Sequence, residues 1–340
     1  MNRLIFIIIF FLSFLKAGES IWVKYGNQVY EGVGDARAIA LSGAEVASAT
    51  GPLAILWNPA RLFESEEKVL CYAHQERFAG VVKFDIIGTN LKNNFKSKWS
   101  LVFIREEVEN IPNTTRALLY NSGSLDDISE RIIPEKVTYF NQVQWAGIIG
   151  FATSLHNWQI GGNVKGLWHQ LGSHAGYGIG FDFGMYRSMG ENNIFGISIR
   201  DITTSWVIWE SGTVERITPE ISIGNMYNFP LLVQKLKVDF MTNLFISTAG
   251  RLKSDDFLIG NMGSNLRVGL NIHYSDNFHL RIGRNPITNY SVGVGMNFSF
   301  GSIDYAFTPS PLSSNLGTSH YLSLKIQSDV LKSLREKLNE

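Results

Sequence analysis

Residues 265–274 read Asn-Leu-Arg-Val-Gly-Leu-Asn-Ile-His-Tyr, and every even position is apolar: Leu266, Val268, Leu270, Ile272 and Tyr274. Every odd position is polar or glycine: Asn265, Arg267, Gly269, Asn271 and His273. Successive side chains of a β-strand point to opposite faces, so this stretch is a strand with one apolar and one polar face. After Ser275-Asp276-Asn277 the alternation resumes, with Phe278, Leu280 and Ile282 set against His279, Arg281 and Gly283. It returns at 290–300, where Val292, Val294, Met296 and Phe298 oppose Ser291, Gly293, Gly295, Asn297 and Ser299. Ten residues at about 3.3 Å each, tilted by about 40°, cross a bilayer. Strands of soluble sandwiches are shorter, nearer five or six residues. The pattern is that of a transmembrane barrel, with lipid on one face and the lumen on the other.

The same periodicity places strands near 67–75, 78–87, 97–106, 138–153, 156–169, 174–187, 192–202, 217–228, 231–246, 263–275, 277–284, 288–299, 301–308 and 319–327. That is an even number, fourteen, as bacterial barrels require. Connections alternate between short turns (154–155, 188–191, 229–230, 276, 300) and longer polar loops (107–137, 203–216, 247–262, 309–318). Such an asymmetry separates a periplasmic from an extracellular end. Aromatic residues near strand ends, among them Trp145, Trp158, Trp168, Tyr186, Trp206, Trp209, Tyr227, Tyr274 and Tyr305, are expected at the headgroup girdles. Charged strand residues fall on the glycine and polar face, which makes Lys165, Asp182, Arg200, Arg267, Arg281 and Asp304 lumen-facing candidates, together with Lys237, Asp239 and Lys325.

The N-terminus is consistent with export. Arg3 precedes the apolar run Leu4–Leu15, and small residues follow at Ala17 and Gly18, so residues 1–18 read as a signal peptide with cleavage within 17–20. Read as a helix the run is about 18 Å long, too short for a hydrocarbon core of about 30 Å. Basic and acidic residues balance at 30 each, which gives no basic excess for nucleic acid. The single cysteine, Cys71, excludes an internal disulfide and a thiolate metal site. The expected organisation is an N-terminal segment over 19–65, a barrel over 66–327 and a tail over 328–340. Ser328 or Asp329 can cap a short helix in that tail, with Leu331, Leu334 and Leu338 on one face.

The N-terminal segment has a different grammar. Small residues dominate 34–44, and Leu53–Leu62 reads as a helical turn around Asn58-Pro59-Ala60. Gly34, Arg37, Gly43, Ala44, Trp57, Asn58, Pro59, Ala60 and Leu62 match the opening pattern of the FadL-like superfamily of outer-membrane barrels, and more closely its PorV/PorQ branch. Ile303–Phe307, Leu316-Gly317, His320 and Leu322–Leu324 resemble that branch's close. The resemblance implies fourteen strands and an N-terminal segment folded into the barrel as a plug or hatch. Gly and Ala suit close packing there, and Pro59 fixes a turn.

Catalysis is not indicated. The seven histidines show no metal-ligand spacing, and Ser319, His320 and Ser323 form the only local cluster of hydrolase-like residues, which the family pattern explains without chemistry. No cofactor site is legible, and the chain is not read as an enzyme. Two functions follow from the resemblance, both placing the protein in the bacterial outer membrane among its lipids. The first expectation follows the PorV/PorQ branch, with FadL-like uptake as its alternative: PorV-like members serve type IX secretion, handling exported cargo with secretion-system proteins, and the loop 107–137 offers a mixed charged and apolar surface for such partners. FadL-like members take up hydrophobic small molecules, for which Ile148, Leu167 and Phe245 are apolar lumen candidates.

Overall fold

The computed structural model describes residues 28–66, 68–91, 97–120, 130–202, 205–230, 235–250, 255–275, 277–286, 289–310 and 316–327. The expected signal peptide and helical tail lie outside them. Among the described residues, seventeen strands form one antiparallel sheet. They are β1 (Val69–Arg77), β2 (Val82–Asn90), β3 (Ser97–Asn113), β4 (Thr138–Leu155), β5 (Trp158–Leu171), β6 (His174–Ser188), β7 (Asn193–Arg200), β8 (Ser205–Trp209) and β9 (Val214–Ile217). The series continues with β10 (Glu220–Phe229), β11 (Leu236–Ser247), β12 (Phe257–Ile259), β13 (Met262–Tyr274), β14 (Phe278–Arg284), β15 (Ser291–Phe298), β16 (Gly301–Thr308) and β17 (Ser319–Gln327).

Fourteen of these are staves of a closed ring. Neighbours pair in chain order through β1–β7, β10, β11 and β13–β17, and β17 returns to β1 with Val69 opposite Gln327 and Glu76 opposite His320. Closure leaves no unpaired edge, the condition for a sheet in a membrane. The other three strands heighten the wall. The hairpin β8–β9 lies inside the expected loop 203–216, and β8 takes over pairing with β6 at 176–179, where β7 has ended. Similarly β12 pairs with the first residues of β13.

The expected strands are all present, with corrected bounds. The first two begin later than expected, at Val69 and Val82, and β3 runs on to Asn113, so the expected loop 107–137 shrinks to 114–137. A break in register between Val108 and Ile111, with Asn110 in the left-handed region, marks where β3 and β4 leave the regular ladder. Connections at the end where β1 starts and β17 stops are short: 91–96, 156–157, 189–192, 230–235, 275–277 and 299–300. This is the near end. Long connections, 114–137, 201–219 and 248–261, all belong to the far end.

Burial follows strand parity, inverted from the soluble rule. On β5 Lys165 is 2% exposed while Trp168, three residues on and on the other face, is 42% exposed. Trp145, Ile149, Val164, Ile179, Leu280 and Val294 are likewise exposed, and Asp182, Arg281 and Asp304 are buried. Apolar groups outside and charges inside are what lipid on one side and a polar interior on the other require. Two girdle assignments are overturned. Trp209 shares the parity of the buried Val207 and packs on the interior cluster. Tyr186 has the parity of Asp182, is buried, and donates its hydroxyl to Glu64 at 2.5 Å.

Residues 28–66 occupy the space inside the ring. Their polar contacts reach β1 (Gln75), β3 (Ser100), β5 (Asn163), β6 (Met185), β11 (Asn243), β15 (Ser291) and β17 (Ser323), a set of walls that can be touched together only from within. Locally the segment is a chain of tight turns, with one short helix over Ala36–Ala40 and 3-10 turns over Pro52–Leu56 and Pro59–Glu64. Each has a local cause. Asp35 accepts from the Ala38 amide at 2.9 Å, Pro52 and Pro59 open the later turns, and Asn58 accepts from the Ala60 amide at 3.1 Å.

Candidate functional site

The interior is the candidate site, and its two sides differ. Val29, Val33, Leu53, Ile55 and Leu62 of the inner segment pack on Cys71, Phe84, Ile86, Val102, Ile104, Ile148 and Leu167 of β1–β5. Each fully buried aliphatic side chain here contributes about 1.5–3 kcal/mol. Across the lumen the walls carry Arg200, Asn243, Arg267, Asn271, Arg281 and Asp304 instead. The inner segment therefore has an apolar seat on one side and a polar seat on the other, which fixes its rotation in the barrel.

Glycines of the inward face shape that seat. A Cβ on Gly161 of β5 would lie 2.6 Å from the backbone of Pro59 and Ala60, and one on Gly196 of β7 would lie 2.7 Å from the Val46 carbonyl oxygen. On the opposite wall Gly283 of β14 would meet the Leu41–Ser42 peptide at 2.5–2.6 Å, and Gly293 of β15 would meet Ala40 at 2.5 Å. Gly184 of β6 admits the Asn58 amide in the same way. A Cβ essentially never comes this close to another heavy atom, so each position must lack a side chain for the segment to lie where it does.

The motif residues converge within this seat. Trp57 lies between two glycines, its indole nitrogen 2.8 Å from where a Cβ of Gly34 would be and its six-membered ring 2.6 Å from that of Gly43. Gly43 also has φ +73, and its carbonyl accepts from Asn243 Nδ2 at 3.1 Å. Arg37 grips Glu45 with bonds of 2.7 and 2.8 Å, holding the loop 37–45 closed on itself. Asn58 donates to the carbonyl oxygens of Val46 at 2.8 Å and Met185 at 3.2 Å while capping Ala60, so one amide ties two parts of the segment to β6. Pro59 and Ala60 lie on Gly161.

The six charged candidates separate into three groups. Lys165 pairs with Asp182 at 2.8 Å and with Asp201 at 2.7 Å, beneath the Tyr30 ring. Arg281 pairs with Asp304 at 2.6 Å. Arg200 and Arg267 flank the Phe245 ring; among the described residues only Arg200 of the two has carboxylates within ion-pair distance, Glu220 at 2.8 Å and Glu31 at 3.8 Å, and both also attract Arg267 from farther off.

Sequence reading missed the partners that the segment itself brings. Asp35 meets Lys325 of β17 at 2.5 Å. Burial alone would push the Asp35 carboxyl up, but Lys325 and Arg37 beside it outweigh burial and hold it below the usual carboxylate range. Arg77 of β1 donates to the carbonyl oxygens of Glu31 at 3.2 Å and Gly32 at 2.6 Å, and Gln75 donates to that of Gly34 at 2.7 Å. Only the inward parity of Gln75 and Arg77, and of Lys325, was available as a signal.

Above the seat, toward the far end, a cavity of about 370 Å³ remains, walled by Ile39, Trp57, Phe84, Arg267 and Tyr321 among others. A second hollow of about 380 Å³ opens at the near end between Thr50, Glu64, Phe298 and Lys325.

No family model matches the chain, and comparison with curated proteins finds no match. Solved structures do share its fold. The toluene transporter TodX of Pseudomonas putida superposes with a TM-score of 0.51 at 13% identity, covering 86% of this chain and 96% of that one. The toluene transporter TbuX of Ralstonia pickettii gives 0.50 at 9% identity, with 86% and 98% covered. The monoaromatic hydrocarbon channel CymD gives 0.50 at 11% identity, with 87% and 96% covered. At such identities the likeness is one of fold.

Proposed function

We propose that the chain is an outer-membrane channel for small hydrophobic molecules, with residues 28–66 acting as a plug that closes the barrel to water and ions. The observation that carries this reading is the filled lumen. A general diffusion pore needs an open aqueous bore, whereas here the interior is occupied and leaves a partly apolar cavity on the far side. The fold shared with two toluene transporters and a monoaromatic hydrocarbon channel supports the same reading. The exposed apolar band of the wall supports a membrane setting, with the near end, carrying the short turns, toward the periplasm.

A role in handling exported proteins, the first expectation from the PorV/PorQ resemblance, rests on the terminal motifs and a far-end loop. The motif residues are taken up in holding the segment against the wall, which leaves them no surface to offer a protein partner. Uptake of a monoaromatic hydrocarbon by cells whose outer membrane otherwise excludes it tests the proposal. Expression of the chain is expected to raise uptake without admitting small sugars. Admission of sugars, or no gain in hydrocarbon uptake, contradicts it.

A further inference from the structure

Three arginines approach the far-end side of the seat, and two are satisfied. The Arg77 guanidinium is taken up by the Glu31 and Gly32 carbonyl oxygens and by Gln75 Oε1 at 2.7 Å. Arg200 is paired with Glu220 and Glu31. Arg267 lines the cavity and has no carboxylate within ion-pair distance among the described residues. Its guanidinium lies 4.9 Å from the Phe245 ring centroid, and its Nε is closed off from solvent without an acceptor. Glu106, on the facing wall, feels Arg77 rather than Arg267.

Glu31 and Glu220, which pair with Arg200, attract Arg267 from beyond ion-pair distance, but a buried guanidinium N–H without an acceptor is still costly. Arg77, Glu31 and Glu106 also line the cavity, and rings make up much of the remaining wall: Trp57, Phe78, Phe84 and Tyr321 stand around it with Ile39 and Val82. A neutral hydrocarbon would bury the rings and offer the guanidinium no acceptor. A flat ring bearing one carboxylate would satisfy both, stacking on the aromatic walls and accepting two hydrogen bonds from the planar guanidinium.

We infer that this cavity is a binding site for compact aromatic carboxylates, with Arg267 as the residue that selects the anion over its neutral counterpart. The inference rests on the channel reading above and deepens it. The guanidinium is steadied from behind by Phe245, and Gly43 leaves room for it beside Trp57, where a Cβ would lie 2.8 Å from its Nη1. Charge-assisted bidentate recognition of this kind is worth about ten-fold or more in affinity.

The test is calorimetric titration of the full chain in lipid nanodiscs with 2-naphthoate and the neutral 2-acetylnaphthalene, with empty nanodiscs as the blank. The wild type is expected to bind 2-naphthoate at least about ten-fold more tightly. Arg267→Gln is expected to lose that preference while keeping its affinity for 2-acetylnaphthalene, and Arg267→Lys to keep part of it. Retention of the barrel by each variant is read from its heat-modifiable mobility in detergent gels, and Arg267→Lys carries the comparison should Arg267→Gln not fold. Equal binding of the two probes by the wild type, or a preference that survives in Arg267→Gln, overturns the inference and leaves the channel reading standing. Failure of both probes to bind overturns the two together.

Discussion

At the scale of single residues the account rests on Asn58 and on the glycines beneath it. Asn58 is fully buried and has three hydrogen-bond partners, two of them carbonyl oxygens. Asn58→Ala is expected to destabilise the barrel by about 2–4 kcal/mol, because it strands buried acceptors and removes a cap. A chemical-denaturation midpoint read by tryptophan emission measures this, and an unchanged midpoint would mean the amide is not holding the segment. The glycine argument has an internal control. Gly161→Ala places a methyl group against the backbone of Pro59 and Ala60, which cannot rotate away, and is expected to cost more than about 2 kcal/mol or displace the segment. Gly166→Ala on the same strand has nothing within 4 Å of the new methyl and is expected to be silent in the same assay. Much of this was legible as a parity pattern, since the glycines and charges of β5, β6 and β13–β15 read as one face. Which glycine seats which residue was not, because that depends on strand register and on where the segment passes.

At the scale of elements the segment is latched to the last strand through Asp35 and Lys325. The Asp35 carboxyl is held below its ordinary range, so its contribution is present above the unfolded value of about 3.9 and is lost as pH falls through the lower folded value. Amide exchange over 36–49 is therefore expected to stay slow from neutral pH to about pH 5 and to accelerate only in strong acid. Asp35→Asn should show the faster exchange already at pH 7. Acceleration between pH 6 and 7 in the wild type would point to a different group. The misread elements have physical reasons as well. The β3 extension, Glu107–Asn113, stands beyond the apolar band, so neither of its faces contrasts with the other. The hairpin β8–β9 is too short to show a period, with five and four residues. Tyr186 was placed on the rim because it is aromatic and near a strand end, although its parity with Asp182 placed it inside.

For the whole molecule, closure and filling are separate properties. The ring is closed by strand pairing alone, from β1 to β17, and its ladder contains no residue of the inner segment. The barrel should accordingly survive loss of the segment, less stably, since it forfeits the apolar seat on β1–β5. The resemblance drawn from Gly34, Arg37, Trp57 and Asn58-Pro59-Ala60 implied a segment folded into the barrel, which periodicity could not, because a chain of small residues and tight turns carries no repeating signal.

The central claim is that residues 28–66 stop an otherwise open barrel, and single-channel recording in planar bilayers tests it most directly. The intact chain is expected to show almost no steady ion conductance, and a chain with residues 28–66 replaced by a short Gly-Ser linker is expected to show large, long-lived openings. Steady conductance through the intact chain, or an equally silent deletion that still migrates as a folded barrel, would contradict the account.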